Sequence, residues 1–187
     1  MSEPIATIAC ESARLLLREF ELDDAASLVE LYGDPAVVTF LNNGTVLSDR
    51  EIVDFIVENQ AFYRRLGYGR WAVIEKGSGR LTGCCGVRED EDGDIVVNCH
   101  IVRRLWRNGY GSEALQAVID YARRRTGRDV LYAYVDVQNV PSRRMLERLG
   151  FLPIGEITRR NRRKLKVGLT LRTEATPAAP QPRPEQA

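Results

Sequence analysis

Apolar positions along this chain recur with two periods, and together they lay out its elements in order. Residues 13–20, with Leu15, Leu16 and Leu17, read as a first strand. Asp23 is placed to cap a helix whose apolar stripe is Ala25, Leu28, Val29 and Tyr32, closed by Gly33. Asp34-Pro35 starts a loop or a short helical turn. Ser48-Asp49-Arg50-Glu51 has the form of a capping box. The helix it opens keeps Ile52, Phe55, Ile56, Phe62 or Tyr63, and Leu66 on one side and ends at Gly67. Strand patterns follow at 71–75, 81–87 and 95–102, separated by the turn Lys76-Gly77-Ser78-Gly79 and by an acidic loop at 89–94. That series predicts an antiparallel meander. Residues 112–125 carry one helical stripe (Ala114, Leu115, Val118, Ile119, Ala122). Arg123, Arg124 and Arg125 sit where the helix dipole favours cations, and Gly127 ends the run. Residues 130–135 are apolar on both faces, which predicts a central strand. The helix after Asn139 buries Met145, Leu146 and Leu149 and stops at Gly150. A last strand pair, 154–158 and 165–171, encloses a basic turn. The pattern predicts an α/β (α+β) fold with a mixed, mostly antiparallel central sheet flanked by helices.

Composition narrows the picture. At 187 residues, with 44% hydrophobic and 28% charged positions, the chain reads as one globular domain over residues 1–173. From Glu174 on, four prolines fall within fourteen residues and no large apolar side chain is present, so residues 174–187 are predicted to be a disordered tail. The net charge of +1 gives no case for nucleic acid as a partner. No apolar run approaches membrane length, and the first residues lack a signal-peptide pattern. Cys10, Cys84, Cys85 and Cys99 make no C-x-x-C pair, which reads as reduced thiols in a cytoplasmic protein. A single histidine, His100, leaves no zinc set to complete, so no metal is expected.

The stretch from Val102 to Ala114 is the richest in chemistry. A strand runs into Arg103-Arg104-Leu105-Trp106-Arg107-Asn108, then Gly109-Tyr110-Gly111-Ser112, then a helix. Glycines admit close backbone approach, and the helix start presents free N–H groups and a positive dipole end. The guest that fits is a pyrophosphate. Gly109 to Ala114 also satisfies the dinucleotide pattern GxGxxA, with Asp136 downstream as the ribose partner. Against that reading, six residues separate strand and glycines, and only one strand–helix–strand unit surrounds the site. The alternative without any ligand is a structural turn whose glycines merely permit a tight helix start.

A second stretch, Asn139-Val140-Pro141-Ser142 through Leu149-Gly150-Phe151, follows the central strand. With the 107–112 loop it resembles the GNAT superfamily of N-acetyltransferases, by the acetyl-CoA pyrophosphate loop (Q/R)xxGx(G/A) and the Asn-xx-Ser/Ala…Leu-Gly-Phe helix. Arg14-Leu15-Leu16-Leu17-Arg18-Glu19-Phe20 with Asp23-Asp24-Ala25 resembles the branch containing ribosomal-protein N-terminal acetyltransferases. The resemblance spans residues 8–171. It implies a splayed strand pair and acetyl-CoA as co-substrate, bound by Arg107, Asn108, Gly109, Tyr110, Gly111 and Ser112 through the loop. It also implies backbone contacts from Ile101 and Val102, and contacts from Asn139 and Ser142. The implied reaction is acetyl transfer to a primary amine by direct attack, in a monomer or homodimer.

Individual side chains keep two readings. Asn139 is a pantetheine contact or an N-cap. Ser142 is the acid that protonates the leaving thiolate or a simple helix-start serine. The resemblance would put a tyrosine at Leu146, which cannot donate a proton, and a carboxylate at Val96. His100 is a general base with a near-neutral intrinsic pKa or a half-exposed strand histidine. Residues 159–164 form a solvated hairpin turn or a rim for an acidic partner or an RNA-bound protein. The acceptor is a protein N-terminal amine or a small-molecule amine such as an antibiotic, polyamine or amino acid. Rival classes are a non-catalytic acyl-CoA-binding module and a dinucleotide-dependent oxidoreductase.

Overall fold

The computed structural model describes residues 7–41, 44–159 and 161–172. Residues 174–187, expected to be a tail, lie outside the described residues. Eight strands make one sheet: β1 (Ile8–Glu11), β2 (Leu15–Arg18), β3 (Arg70–Glu75), β4 (Leu81–Glu89), β5 (Ile95–Ile101), β6 (Val130–Asp136), β7 (Leu152–Arg159) and β8 (Arg162–Thr170). Their order across the sheet is β1-β2-β3-β4-β5-β6-β8-β7. Every neighbouring pair is antiparallel except β5 and β6. This is the mixed, mostly antiparallel sheet that the hydrophobic pattern predicts. β7 closes one edge, and its pairing with β8 slips register between Pro153 and Gly155.

Helices cover both faces. α1 (Ala25–Tyr32) and α3 (Asp49–Leu66) lie on one face, with the short α2 (Pro35–Val38) between them in sequence. α4 (Tyr110–Arg125) lies on the other. Cross-strand rows show the division. Trp71, Cys85 and Cys99 align, and Tyr121 of α4 packs edge-on against Trp71 at 4.7 Å. Ala72, Cys84 and His100 form the next row, and Tyr32 of α1 packs against His100. Cys84 and Cys85 thus face opposite layers, as strand alternation requires. All four cysteines are free thiols. Burial pushes Cys10 up to about 12 and Cys84 up to about 11, which holds both protonated. α5 (Val140–Arg148) follows β6. Among the described residues, no helix is long and apolar enough to cross a membrane.

Two local expectations change. The expected strand over 13–20 is two short strands, because Ser12 folds back on Leu15. The Ser12 N–H donates to the Leu15 carbonyl, and the Leu15 N–H donates to the Ser12 hydroxyl. Asp23 does not cap the first helix. Residues 22–24 form a 3₁₀ turn, and the buried Asp24 carboxylate accepts the Glu21 N–H and a two-pronged pair from Arg18 at 2.7 and 2.8 Å. The helix then starts at Ala25, with Leu31 in the core, and Val29 is exposed. The Ser48/Glu51 capping box and the Gly67 stop of α3 match the expectation. Gly67 is left-handed at φ +73°.

Candidate functional site: a slot between two parting strands

The parallel pair β5/β6 meets at Val96 and Tyr132. Beyond that point β6 stays on β8, from Val130↔Thr170 to Asp136↔Lys164, while β5 stays on β4 out to Gly83↔Ile101. The strands part, and a cleft of about 1620 Å³ opens between residues 96–101 and 133–136. Register decides which backbone groups enter the gap. The Val102 N–H donates to the Thr82 carbonyl at 2.9 Å. In an antiparallel ladder the direction alternates at each residue, so even-numbered groups of β5 face β4 and odd-numbered groups face the gap. Cys99 and Ile101 therefore present backbone groups to the cleft. Val102, expected to do so, does not: its carbonyl also accepts from Leu105 at 3.0 Å. The Ile101 carbonyl is taken by the Trp106 indole N–H at 2.7 Å, which leaves the Ile101 N–H. Cys99 was missed because parity follows from the β4 register, which composition does not carry.

At one end of the cleft lies the glycine loop. A 3₁₀ turn over Arg103–Leu105 is followed by Arg107 at φ +63° and Gly109 at φ +81°. A left-handed arginine is an uncommon conformation, and here it turns the chain so that α4 starts at Tyr110, ahead of the expected Ser112. The first helical bond runs from the Glu113 N–H to the Gly109 carbonyl at 3.0 Å, so the N–H groups of Tyr110, Gly111 and Ser112 have no intrahelical acceptor. Arg107, Gly109, Tyr110, Gly111 and Ser112 line the cleft. A Cβ on Gly111 would sit 3.3 Å from Met145 Sδ, tying this loop to α5. Arg104 turns away to Glu30 at 3.5 Å.

A brace absent from the sequence reading holds the loop. The Arg14 guanidinium donates to Glu113 at 2.7 Å and to the Asn108 carbonyl at 3.1 Å, and stacks 4.3 Å over the Tyr110 ring. Glu113 also accepts the Ser12 hydroxyl at 2.7 Å and the Arg14 N–H at 2.8 Å. Burial opposes ionisation of Glu113, but these hydrogen bonds outweigh it and hold the carboxyl below its ordinary range. The Tyr110 hydroxyl donates to Glu75. The available signal was Glu113 in the first turn of α4, where a carboxylate suits the dipole.

α5 forms another wall. Asn139 Oδ1 accepts the Ser142 N–H at 3.2 Å, and Pro141 sits in the first turn, so Asn139 is an N-cap. Asn139 and the half-buried Ser142 both line the cleft, and the Ser142 hydroxyl has no protein partner among the described residues. Leu146 adds a buried apolar side chain to the same wall.

The arm on the α1/α3 face is polar. His100 Nδ1 lies 3.1 Å from the Tyr32 hydroxyl. Burial, followed by the charge of Arg70, pushes the imidazole down to about 3. The ring keeps some surface toward the cleft, and His100 is neutral at pH 7. Arg70 is held by Asn59 Oδ1 at 3.1 Å and by the Phe55 ring at 4.4 Å. Asn59 was detectable as the polar residue within the stripe Ile52, Ile56, Asn59, Tyr63 of α3.

The basic turn is spoken for. Arg159 pairs with Asp90 at 3.6 Å, Arg162 with Asp136 at 3.0 Å and Arg163 with Glu156 at 2.5 Å. Arg162 also donates to the Thr39 carbonyl, and Lys164 donates to the Phe40 carbonyl at 3.1 Å. The Arg162 and Lys164 contacts fasten the β7–β8 hairpin to the segment after α2, and among the described residues of the turn Arg159, Arg162, Arg163 and Lys164 each have a partner. Asp136, the residue a ribose would need, is buried and occupied by Arg162 and the Gln138 N–H.

Comparison with known proteins bears on the family and the fold. A model of the acetyltransferase (GNAT) domain matches residues 14–152. The uncharacterized N-acetyltransferase p20 of Bacillus licheniformis is 31% identical over 148 residues, covering 74% of this chain and 79% of that protein. Among solved structures, a GNAT-family acetyltransferase from Bacillus anthracis has a TM-score of 0.75 at 22% identity, covering 87% of this chain and 98% of that one. RimL, a ribosomal L7/L12 alpha-N-protein acetyltransferase in complex with coenzyme A, has a TM-score of 0.75 at 18% identity, covering 88% of this chain and 98% of that one. At these identities the structural likeness is one of fold. The family match, which runs from the Arg14 brace through the glycine loop to α5, carries the assignment: this chain belongs to the GNAT acetyltransferase family.

Proposed function

We propose that residues 1–173 form an N-acetyltransferase domain that moves acetyl from acetyl-CoA to a primary amine by direct attack in a ternary complex. The observation that carries this reading is the continuity of one cleft from the free N–H groups of α4 to the unpaired edge of β5. The 107–112 loop binds the pyrophosphate through backbone N–H groups and the helix dipole. The pantetheine arm runs along β5 as an added strand and reaches Asn139. The Ile101 N–H polarises the thioester carbonyl, where negative charge grows in the transition state. RimL was solved with coenzyme A, which supports the cofactor assignment.

Proton movements follow from the side chains present. An ordered water takes the proton of the attacking ammonium, or His100 does so as a weak base, since its surroundings push the imidazole down to about 3 and remove the near-neutral value expected from the sequence. For His100 to accept at Nε2, Nδ1 must carry its proton and donate to Tyr32. Ser142 or water protonates the departing thiolate, which needs little assistance near neutral pH. The acceptor is a protein N-terminal amine or a small-molecule amine. The reduced thiols suit a cytoplasmic setting. A thiol-release assay with acetyl-CoA and a mixed panel of amines tests the reading. Amine-dependent release of CoA is expected. Tight acetyl-CoA binding without release for any amine would instead indicate a non-catalytic acyl-CoA module.

A further inference from the structure

We infer that the acceptor bears an anionic oxygen group beside its amine, and that Arg70 is the residue that selects it. The inference rests on the acetyltransferase reading above. It starts from the floor of the cleft on the α1/α3 face. Arg70 of β3, Gly86 of β4 and Asn98 of β5 lie in one cross-strand row, next to the row ending at His100. Arg88 lies beside Val96 on the same parity. Arg70, Arg88, Asn98 and His100 all line the cleft. Gly86 places no side chain between Arg70 and Asn98, and a Cβ there would run into the Gly69 carbonyl at 2.3 Å. This floor has two guanidinium groups, an amide and an imidazole. Of the carboxylates lining the cleft, Glu58, Glu91 and Glu147 are exposed, and the buried Asp136 is already neutralised by Arg162 at 3.0 Å.

The setting of Arg70 points to an anion. Its side chain is only 15% exposed. Asn59 fixes it through Nε, and Asn59 is itself fully buried and anchored to the Phe55 carbonyl at 2.6 Å. The Phe55 ring covers one face. The counterion is Glu58, 3.3 Å away with a side chain 59% exposed. A mostly buried guanidinium with a solvent-screened partner is under-neutralised, and an oxyanion in the cleft would complete its pairing. Arg70 is also close enough to His100 for its charge to bear on the imidazole. An anion seated on Arg70 therefore holds the amine of the same molecule near the thioester side. Aromatic side chains of Phe55, Phe62 and Tyr134 line the same arm and suit an apolar portion of that acceptor. A polycation meets the Arg70 guanidinium on the floor and is disfavoured.

The test uses matched acceptors at saturating acetyl-CoA: phenylalanine against phenethylamine, an Asp-leading tripeptide against a Lys-leading one, and spermidine. The member of each pair with a carboxylate next to its reacting amine, phenylalanine and the Asp-leading tripeptide, is expected to have kcat/KM at least about tenfold higher, near 1.4 kcal/mol. Arg70→Gln should erase that preference by raising acceptor KM, with acetyl-CoA Kd unchanged, and Arg70→Lys should restore part of it. A second measurement is independent of turnover. Calorimetry on the CoA-loaded protein should show N-acetylphenylalanine binding and N-acetylphenethylamine not binding. Equal use of phenethylamine or spermidine, or equal binding of the two products, would overturn the inference. Product selectivity without turnover of any amine would instead count against the acetyltransferase reading and leave the anion site standing.

Discussion

Replacing Arg14 with alanine tests whether the glycine loop is shaped by its brace. The change removes the guanidinium from Glu113 and from the Asn108 carbonyl, and uncovers the Tyr110 ring. The backbone N–H of residue 14 and the Ser12 hydroxyl still serve Glu113 Oε1, so the carboxylate is not abandoned. The Arg14 side chain is 45% exposed and that of Glu113 is 19% exposed, so solvent screens the pair. An ion pair so placed is worth about 0.5–1 kcal/mol, and a charged hydrogen bond to a carbonyl adds about 1 kcal/mol. If the loss falls on loop ordering, acetyl-CoA affinity drops by about 1–2 kcal/mol, roughly 5- to 30-fold. Calorimetry with acetyl-CoA reads this directly, and a melting curve on the same sample separates loop loosening from global damage. Affinity within twofold of the parent in a folded Arg14→Ala protein would refute the brace. So would an affinity loss fully accounted for by a fraction already unfolded.

Four further outcomes follow. Gly109→Asp puts a side chain at φ +81° and a negative charge at the helix start, and acetyl-CoA affinity should fall at least about tenfold by calorimetry. Ser142→Ala should lower kcat by roughly 3- to 10-fold while leaving acetyl-CoA Kd nearly unchanged; a smaller drop would assign the thiolate proton to solvent alone. Asp136→Asn uncouples Arg162 from a buried carboxylate. It should cost about 1–3 kcal/mol and lower Tm by several degrees, as read by thermal denaturation. His100 has a folded-state pKa depressed below its unfolded value, so the unfolded chain binds the extra proton. Stability is then intact above about pH 6.5 and is lost as pH falls toward 3, by at most about 1.4 kcal/mol per pH unit. Urea titrations of His100→Gln should show a flatter decline between about pH 6 and 4, and an unchanged slope would mean the ring is not desolvated.

Local signals were readable where the responsible groups are neighbours in sequence. Ser48 and Glu51 mark the start of α3, Asn139 and Pro141 mark the start of α5, and Gly109 with Gly111 marks the turn into α4. What escaped depends on partners far along the chain. The expected Asp23 cap gives way to a 3₁₀ turn over residues 22–24 in which Asp24 joins Arg18, and the first helix starts after it. The facing of β5 follows from pairing Ile101 with Gly83, so the exchange of Val102 for Cys99 could not be seen from the strand alone. The charges at 159–164 were visible, but their carboxylates sit at Asp90, Asp136 and Glu156, and only the folded sheet brings them into reach. His100 kept two readings for the same reason: its shift comes from burial in the folded core and then from the charge of Arg70, and its hydrogen-bond partner Tyr32 comes from another element again.

The slip in β7 has a bearing on how this molecule behaves in crowded solution. Leu152 and Ile154 are 69% and 58% exposed on the outermost strand, which would otherwise invite another chain to add itself there. Pro153 removes one donor from that strand, and the register shift before Gly155 breaks the regular spacing that an incoming strand must match. From Glu156 to Arg159 the strand is polar apart from Ile157 and carries charge at both ends. An approaching chain meets two short, mismatched segments in place of one continuous template, so the sheet can leave this side open to water without seeding fibrils.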